Sequence, residues 1–571
     1  MSKTRLARKQ LEDAGAPVSR IPEPKLIGRV VSIDGAHAVI SLSPGALSAA
    51  REDRPQIGAI LSIDAGPSVV LGLVSAMSGP PAAASAANAD GRSTGPGALV
   101  ELELIGEFSK PTASAPGRFR RGVSFYPALN DGAHLATRDE LAALFLSNSG
   151  ATVRVGAIKQ DASIPASVAV NNLFSRHCAI LGTTGAGKSC AVTLMLNSVL
   201  KKYPHAHIVL LDVHNEYANC FGEKAIVFDS SNLTLPFWML TFEEFSEILY
   251  PGRRNCEEEI EILLELIPAA RRMNLGAPTK SGAGLTERRS DPSAVTVDTP
   301  TPYRVSDLLT LIDRSLGGLD HARATAPFKR LRARLKQIST DARYGFMFGG
   351  LTVQDTMSEL LGQLFRIPVA DAPVSVIELG GMPDEVAQVV VSVIARIAFE
   401  FGLWSHGAAP VALIVEDAHR FAAADSDSGF APTRRALVRI AKEGRKTGVS
   451  LWVVSQRPTE LDPTVLSQCN SIFAMRLANQ ADQDALRAAI PDAATSLLAC
   501  LPSLGLGEAI AIGESVALPC RIRFDAVSRE TTPRSLTSSF TEAWAISIED
   551  EAFLERIVDQ WRAQKILTAL S

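Results

Sequence analysis

The sequence has few cysteines, no long apolar run and no excess of charge of one sign. Its seven cysteines are odd in number, scattered and without CxxC spacing, which argues against a disulfide framework or a zinc site and favours a reducing compartment. No stretch reaches the about 18 uncharged apolar residues of a membrane helix, and no apolar stretch follows the basic N-terminus. We therefore predict a cytoplasmic protein that does not associate with a membrane.

The balance of charge restricts the partners that the surface can bind. With 57 basic and 61 acidic side chains the net charge is −4, so any surface for a polyanion must be local. Basic clusters occur at residues 118–121 and 329–336. A charged helical run is ordinarily a solvated face, but the same cluster repeated around a ring would form a strong positive surface. Both interpretations remain open at this point.

The first 150 residues divide into a flexible start and a small β domain. Residues 1–24 are polar and proline-punctuated, and residues 79–97 are of low complexity, so both segments should be mobile. Short alternating runs with an Asp34-Gly35 turn and a Gly66-Pro67 turn predict a small β-barrel over residues 25–150. Because no polar cluster stands out there, we expect a structural domain rather than a ligand site.

Residues 151–530 have the pattern of a doubly wound α/β domain. Continuous apolar runs alternate with helical stretches, as in a parallel sheet that helices cover on both faces. A helical insertion at about 240–350 interrupts this core, and it includes a helix that we expect Ser306 to cap. The predicted strands are HCAIL (177–181), HIVLLD (207–212), VSVIEL (374–379), VALIVE (411–416), SLWVVS (450–455) and SIFAMRL (471–477).

The C-terminal segment, residues 531–571, is predicted to form a helical tail. An apolar helical face there needs a surface to pack against, either the chain's own core or a neighbouring subunit. Helical spacing places on this face Phe553, Leu554, Ile557, Val558 and Trp561.

The strongest motif is a GxxxxGKS phosphate loop between the strand HCAIL and a helical stretch. Its glycines free the backbone to turn successive N–H groups toward a triphosphate, and the helix N-terminus adds positive potential. Lys188 would reach the β- and γ-phosphate oxygens, and Ser189 would ligate Mg²⁺. The predicted nucleotide-binding residues of the loop are Gly182, Thr183, Thr184, Gly185, Ala186, Gly187, Lys188 and Ser189.

A second motif ends the apolar strand VALIVE with two acids, Glu416 and Asp417. A Walker B strand has its acids at this position, where one carboxylate holds the metal ion and the next polarises the attacking water. Adjacent acids at a strand end are often only solvated loop charges, but the phosphate loop in the same chain favours the catalytic interpretation. We therefore predict an enzyme that hydrolyses ATP with Mg²⁺, with Ser189 and Glu416 as metal ligands.

The order of the motifs indicates the class of the fold. The strands HIVLLD and VSVIEL lie between the two Walker motifs in the sequence. An extra strand between the Walker strands is typical of the additional-strand class, which includes RecA-like motors. Gln456 follows the strand SLWVVS, at a position from which an amide can sense the γ-phosphate. The alternative for Gln456 is a turn cap before Pro458.

Four segments together resemble the HerA family of hexameric DNA-translocating ATPases, which is related to FtsK. They are RHCAILGTTGAGKS, VLLDVHNEYA, LIVEDAHRF and KEGRKTGVSLWVVSQRPTELDPTVLSQCNSIFAMRLAN. The resemblance covers about residues 150–530, and the β-rich leading segment is similar in position and length to the barrel of that family. It implies a RecA-type core, a homohexamer with ATP between subunits, and DNA passing through a central channel.

The resemblance also implies roles for acids outside the phosphate loop. Asp212 and Glu216 match the acidic motif after the second core strand, where the acids face the nucleotide, and Glu416 and Asp417 match the Walker B pair. The second Walker B acid is often glutamate in this family. Because Asp417 is one methylene shorter, it stays open whether Glu416 or Asp417 orients the attacking water.

Three further residues receive roles from the same resemblance. Gln456 matches the sensor, and Arg445 matches the arginine that a neighbouring subunit inserts toward the γ-phosphate. Arg176 matches a second basic residue at the nucleotide, just ahead of the first core strand. For Arg445 the alternative is a cation that stabilises the C-terminal dipole of its own helix.

The family's partners suggest what the motor would serve. HerA relatives work with NurA-type nucleases in DNA end processing, and with sirtuin-like or nuclease effectors in antiviral defence against phage. We therefore expect a partner nuclease or other effector, which the barrel is best placed to bind. The alternative function is a nucleotide-stabilised hexameric scaffold that activates a partner without DNA-driven translocation.

Overall fold

The computed structural model describes residues 26–47, 54–79, 98–110, 119–146, 150–253, 255–275, 295–317, 322–349, 354–425, 429–490, 496–534, 541, 544–545 and 552–563. The segments expected to be mobile, 1–24 and 79–97, lie outside these residues except for Gly79. The chain divides into two compact units, Met1–Ser147 and Asn148–Ser571.

The first unit contains a closed six-stranded antiparallel barrel, in the order β2-β1-β7-β3-β4-β5, which β2 and β5 close by pairing with each other. A short β6 extends β5. Alternate residues of β2 point inward, as Ala38, Ile40 and Leu42 do, and this confirms the predicted barrel. Its elements are β1 Leu26–Asp34, β2 His37–Leu42, α1 Pro44–Leu47, β3 Ile60–Asp64, β4 Ser68–Ser78, β5 Leu99–Ser109, β6 Phe119–Arg121, β7 Gly132–Leu135 and α2 Arg138–Leu146.

The second unit is built on an eleven-stranded sheet, in the order β12-β13-β11-β14-β15-β10-β16-β17-β18-β8-β9. The seven strands from β12 to β16 are parallel, and the remaining four are antiparallel. The strands are β8 Thr152–Ile158, β9 Pro165–Ala169, β10 His177–Leu181, β11 His207–Asp212, β12 Ala225–Phe228, β13 Val374–Glu378, β14 Val411–Val415, β15 Val449–Ser455, β16 Cys469–Ala474, β17 Glu508–Gly513 and β18 Cys520–Phe524.

Helices connect the parallel strands, and the central strands are buried along their whole length, as in β10, β13, β14 and β15. The predicted RecA-like α/β core is therefore confirmed. The helices are α3 Val170–Phe174, α4 Lys188–Lys202, α5 Phe242–Leu249, α6 Glu257–Leu275, α7 Val305–Gly317, α8 Ala322–Thr340, α9 Gly345–Phe348, α10 Met357–Phe365, α11 Asp384–Trp404, α12 Ala431–Thr447, α13 Pro463–Ser467, α14 Gln480–Ala489 and α15 Ala552–Ala563.

One strand lies between the two Walker strands, as expected for the additional-strand class, but its identity differs from the expectation. The interposed strand is β15, which pairs with β14 on one side and with β10 on the other. The strands HIVLLD and VSVIEL, here β11 and β13, lie beyond β14. The order of the strands along the chain therefore did not predict their order in the sheet, because the crossovers that join parallel strands can skip neighbouring strands.

The insertion is helical, and its basic run makes contacts within it. Arg330 forms ion pairs with Glu258 and Glu259, and Arg332 pairs with Asp313 at 2.7 Å. These arginines therefore join α8 to α6 and α7. Their pairing favours a structural role for much of the 329–336 cluster over a surface for a polyanion.

The expectation that Ser306 caps its helix is wrong. The helix α7 begins at Val305, so Ser306 lies inside its first turn. The Asp307 carboxylate instead accepts a hydrogen bond from the backbone N–H of Arg304 at 2.9 Å. An acidic side chain thus satisfies the free donor that precedes the helix.

Among the described residues, α11 is the one helix long and apolar enough to cross a membrane. However, 78% of its apolar window is buried inside the second unit, so it has the burial of a core helix. The C-terminal α15 is different, since Leu554 and Trp561 on it are largely exposed while Phe553, Ile557 and Val558 are half-buried.

Candidate functional site

The phosphate loop joins the carboxyl end of β10 to the first turn of α4. Gly185 and Gly187 have φ of 74° and 102°, the left-handed region in which a side chain would be strained. The Lys188 ammonium donates to the Thr183 carbonyl oxygen at 3.4 Å. Burial lowers the pKa of Lys188, and the carboxylates of Asp417 and Glu416 oppose this shift. A cation is therefore held inside the loop, where a phosphate group would replace the carbonyl as its partner.

Acids from two strand ends meet at Ser189, the first helical residue after Lys188. The Ser189 hydroxyl donates to Glu216 Oε2 at 2.9 Å and lies 3.4 Å from Glu416 Oε1. The charge of Asp212 acts on Glu416, so the two carboxyl groups lie close together. Glu416 Oε2 is buried and accepts a hydrogen bond from no described donor. The fold thus brings Ser189 together with three of the four acids that the sequence singled out. The fourth, Asp417, directly follows Glu416 in the chain.

At Glu416, burial and the neighbouring acids outweigh the positive charge of the nearby Lys188. Burial raises the pKa of Glu416 well above its usual value, and the charges of Asp212 and Glu216 raise it further. Burial also raises the pKa of Asp212. Hydroxyl and carboxylate oxygens are the ligands that Mg²⁺ prefers, usually one or two from the protein with phosphates and waters completing the shell. The Glu416 carboxylate therefore fits a magnesium site, with Oε1 beside the Ser189 hydroxyl and Oε2 unpartnered among the described residues.

Asp417 has a different environment from that of its neighbour Glu416. It adopts a left-handed φ of 44°, and its Oδ2 lies 2.8 Å from His214 Nε2. Burial raises the pKa of Asp417, but the hydrogen bond from His214 and the charges of His419 and Lys188 outweigh it and lower the pKa overall. Asp417 therefore remains ionised, which a carboxylate that orients water requires.

The predicted sensor Gln456 lies against the phosphate loop. It follows the last residue of β15, Ser455, which pairs with Leu181 at the end of β10. The Thr184 hydroxyl donates to Gln456 Oε1. Thr184 itself is exposed at the tip of the loop. A change at the γ-phosphate position could therefore reach the end of β15 through this contact.

The two predicted arginines lie away from the phosphate loop of their own chain. Arg176 precedes the first residue of β10, at the opposite end of the strand from the loop, and its guanidinium pairs with Glu514 at 2.5 Å. Arg445 lies in the last turn of α12, which leads into the start of β15. It is exposed and, in the part of the chain that the structure describes, forms no ion pair or side-chain hydrogen bond.

Several residues at the site were not predicted. His214 and Tyr217 lie in the quoted segment VLLDVHNEYA, and the Tyr217 hydroxyl donates to Glu416 Oε1 at 3.4 Å. The Ser455 hydroxyl lies 3.2 Å from His419 Nδ1. His214 and Tyr217 could have been identified from the sequence, because they lie close to Asp212 and Glu216 in it. No sequence signal pointed to the contact of His419, because it depends on the order of strands in the sheet.

The chain is similar in sequence to several known proteins. Residues 153–398 match the family model described as Helicase HerA, central domain. A probable helicase of Methanocaldococcus jannaschii is 26% identical over 413 residues, covering 68% of this chain and 72% of the relative. The DNA double-strand break repair helicase HerA of Pyrococcus furiosus is 25% identical over 419 residues, covering 67% and 71%. Among solved structures, VirB4 of Thermoanaerobacter pseudethanolicus aligns with a TM-score of 0.48 and 16% identity over 67% of this chain and 99% of that one.

The parallel sheet, the interposed β15 and the phosphate loop define a P-loop ATPase with a RecA-like core. Within this class the chain is similar to ATPases of the HerA family, and residues 153–398 match the HerA central domain.

Proposed function

We propose that this protein is an ATP-driven DNA translocase that works as a homohexamer, with DNA in a central channel. The observation that supports it most is the convergence of Ser189, Glu416 and Asp417 at the phosphate loop, an arrangement suited to turnover and unnecessary for binding alone. The substrate is proposed from the relatives, since the similar proteins of Pyrococcus furiosus and Sulfolobus acidocaldarius are DNA double-strand break repair helicases.

In this proposal the acids have different roles in ATP hydrolysis. Ser189 and Glu416 hold Mg²⁺, with Asp212 and Glu216 completing the negative surroundings of the site. When bound, the ion neutralises charge on the β- and γ-phosphates. Lys188 binds the same phosphates, and the ionised Asp417 orients the attacking water. Gln456 senses the γ-phosphate through Thr184.

The arginines are proposed to act on the nucleotide of a neighbouring copy. Arg445 and Arg176 lie at the amino ends of β15 and β10, whereas the phosphate loop lies at the carboxyl end. A seven-residue strand such as β15 spans about 20 Å, which is too far for either side chain to reach its own loop. Hydrolysis would therefore need an interface between two copies, because an arginine finger contributes roughly 10³ to 10⁵ in rate.

An effector is proposed to bind the barrel, in DNA end processing or antiviral defence in the cytoplasm. In the loop before β7, three large apolar residues are exposed: Phe125 by 54%, Tyr126 by 56% and Leu129 by 67% of their surface. Its backbone is held by the Glu107 carboxylate, which accepts hydrogen bonds from the N–H groups of Ser124 at 3.0 Å and Phe125 at 3.3 Å. A rigid loop that presents large apolar side chains is suited to a protein partner.

The ATPase rate with and without duplex DNA tests the proposal, measured on the whole protein and on Asp417→Asn. A DNA motor should turn over faster with DNA and lose most turnover in the variant. The matched control is Glu359→Gln, an exposed acid on α10 that should behave as wild type. If DNA does not change the ATPase rate and Asp417→Asn does not lower it, the motor is rejected and the nucleotide-stabilised scaffold remains.

A further inference from the structure

His214 makes a direct contact with the carboxylate to which we assign the orientation of water. The imidazole Nε2 lies 2.8 Å from Asp417 Oδ2, although 203 residues separate the two in the chain. Asp417 Oδ1 accepts no hydrogen bond from the residues that the structure describes. The Asp417 side chain is 8% exposed and the His214 side chain 50% exposed. The histidine thus contacts a buried acid from the open side of the site.

The loop after β11 holds His214 rigidly. Asp212 Oδ1 accepts a hydrogen bond from the His214 backbone N–H at 3.2 Å. The next residue, Asn215, has a left-handed φ of 54°, and its amide exchanges two hydrogen bonds with the backbone of Gly380, at 2.9 and 3.0 Å. The end of β11 and the turn after β13 therefore fix the direction from which the imidazole reaches Asp417.

Asp417 reaches less far than a glutamate would, so the direction of its carboxylate matters more. Its side chain is one methylene shorter, and its backbone adopts a left-handed φ of 44° immediately after β14. A short carboxylate on a turn can rotate away from the position at which it orients water. A hydrogen bond to one oxygen fixes the direction of the other.

We propose that His214 is a positioning residue that holds Asp417 Oδ2, so that Asp417 Oδ1 is directed at the attacking water. This inference rests on the role proposed above for Asp417. The histidine makes no contact with the nucleotide in this account and acts through the carboxylate. The alternative is that the same contact only fastens the loop after β11 to the end of β14.

Steady-state kinetics of the whole protein with Mg²⁺ and ATP test the proposal. His214→Ala should lower kcat by about 10- to 100-fold, the scale on which hydrogen-bond partners of active-site carboxylates act, with KM changed by less than about twofold. His214→Gln places an amide nitrogen near the position of imidazole Nε2, so it should recover most of kcat. His205→Gln is the matched control, because His205 is exposed ahead of β11, and it should behave as wild type.

A double-mutant cycle with Asp417→Ala separates the two accounts. If His214 acts through Asp417, adding His214→Ala to Asp417→Ala should reduce kcat no further. Additive losses, a change confined to KM, or a glutamine variant no better than alanine would overturn the positioning role. Wild-type turnover in His214→Ala with an inactive Asp417→Asn would overturn this inference alone. Wild-type turnover in Asp417→Asn would overturn the role of Asp417 and this inference with it.

Discussion

At the scale of the residue, two neighbouring acids have opposite electrostatic surroundings. Glu416 is buried beside Asp212 and Glu216, which raises its pKa, so a metal ion can relieve the repulsion. Asp417 receives a hydrogen bond from His214 and lies near Lys188, and its pKa is lowered. The sequence left open which of the two acids orients the attacking water, and this difference supports the proposed division of roles. It favours Glu416 for the metal ion and Asp417 for the water.

The phosphate loop allows a first prediction, on Lys188. Lys188→Ala should lower ATP turnover by at least about 100-fold, because the cation that meets the β- and γ-phosphates is removed. The fold should be retained, since among the described residues the ammonium donates a hydrogen bond only to the Thr183 carbonyl oxygen, at 3.4 Å. Turnover and the melting temperature are measured together. Lys201→Ala, an exposed change in the last turn of the same helix, is the control and should lose neither.

The residues predicted for the loop and for Walker B could be found because each motif is local. A strand, a GxxxxGKS loop and a helix lie within one short stretch, and so do VALIVE and its two acids. His214 was missed as a partner of Asp417 for the opposite reason. The contact exists only because β11 and β14 are neighbours in the sheet.

At the scale of the element, the sequence predicted buried strands better than it predicted their order. The bounds of HIVLLD and of β11 agree at both ends, because a continuous apolar run identifies a strand covered on both faces. The placement of β15 between β10 and β14 could not be predicted from such runs. The edge strand β12 and the antiparallel strands β8, β9, β17 and β18 were not predicted. β12 is short and β8, β9 and β18 have mixed apolar patterns, whereas the apolar run of β17 was missed.

A histidine at the start of β10 allows a prediction about stability and pH. Burial lowers the pKa of His177 from 6.5 to about 4, and its Nδ1 accepts a hydrogen bond from the Leu451 N–H at 3.0 Å. His177 therefore binds a proton less readily in the folded protein than in the unfolded chain. Stability from this group is present above pH 6.5 and is lost as the pH falls toward 4, at up to about 1.4 kcal/mol per pH unit.

The matched variant is His177→Asn, which can keep the acceptor for Leu451 without the titration. Its melting temperature should fall less steeply than that of wild type as the pH is lowered through this window. His205→Asn, at an exposed position, should leave the slope unchanged. Equal slopes for wild type and His177→Asn would show that burial does not lower the pKa of His177 in the folded protein.

At the scale of the whole molecule, Arg445 lies far from the phosphate loop of its own chain. The proposed mechanism follows from this separation. The arginine lies at one edge of the sheet and the loop at the other, so in the proposed mechanism one copy contains both halves of a site but cannot combine them. A ring in which the arginine edge of each copy meets the loop edge of the next would complete every site. Such head-to-tail contacts close into rings when the rotation between copies allows it.

Subunit mixing tests this central claim most directly. Arg445→Ala and Asp417→Asn should each be nearly inactive alone, and equal mixing at random should pair an intact arginine with an intact acid at about a quarter of the interfaces. The account predicts that the mixture regains ATP turnover approaching that fraction of wild type, while the double variant treated in the same way regains none. No recovery in mixed assemblies of confirmed composition, or wild-type turnover by Arg445→Ala alone, would contradict it.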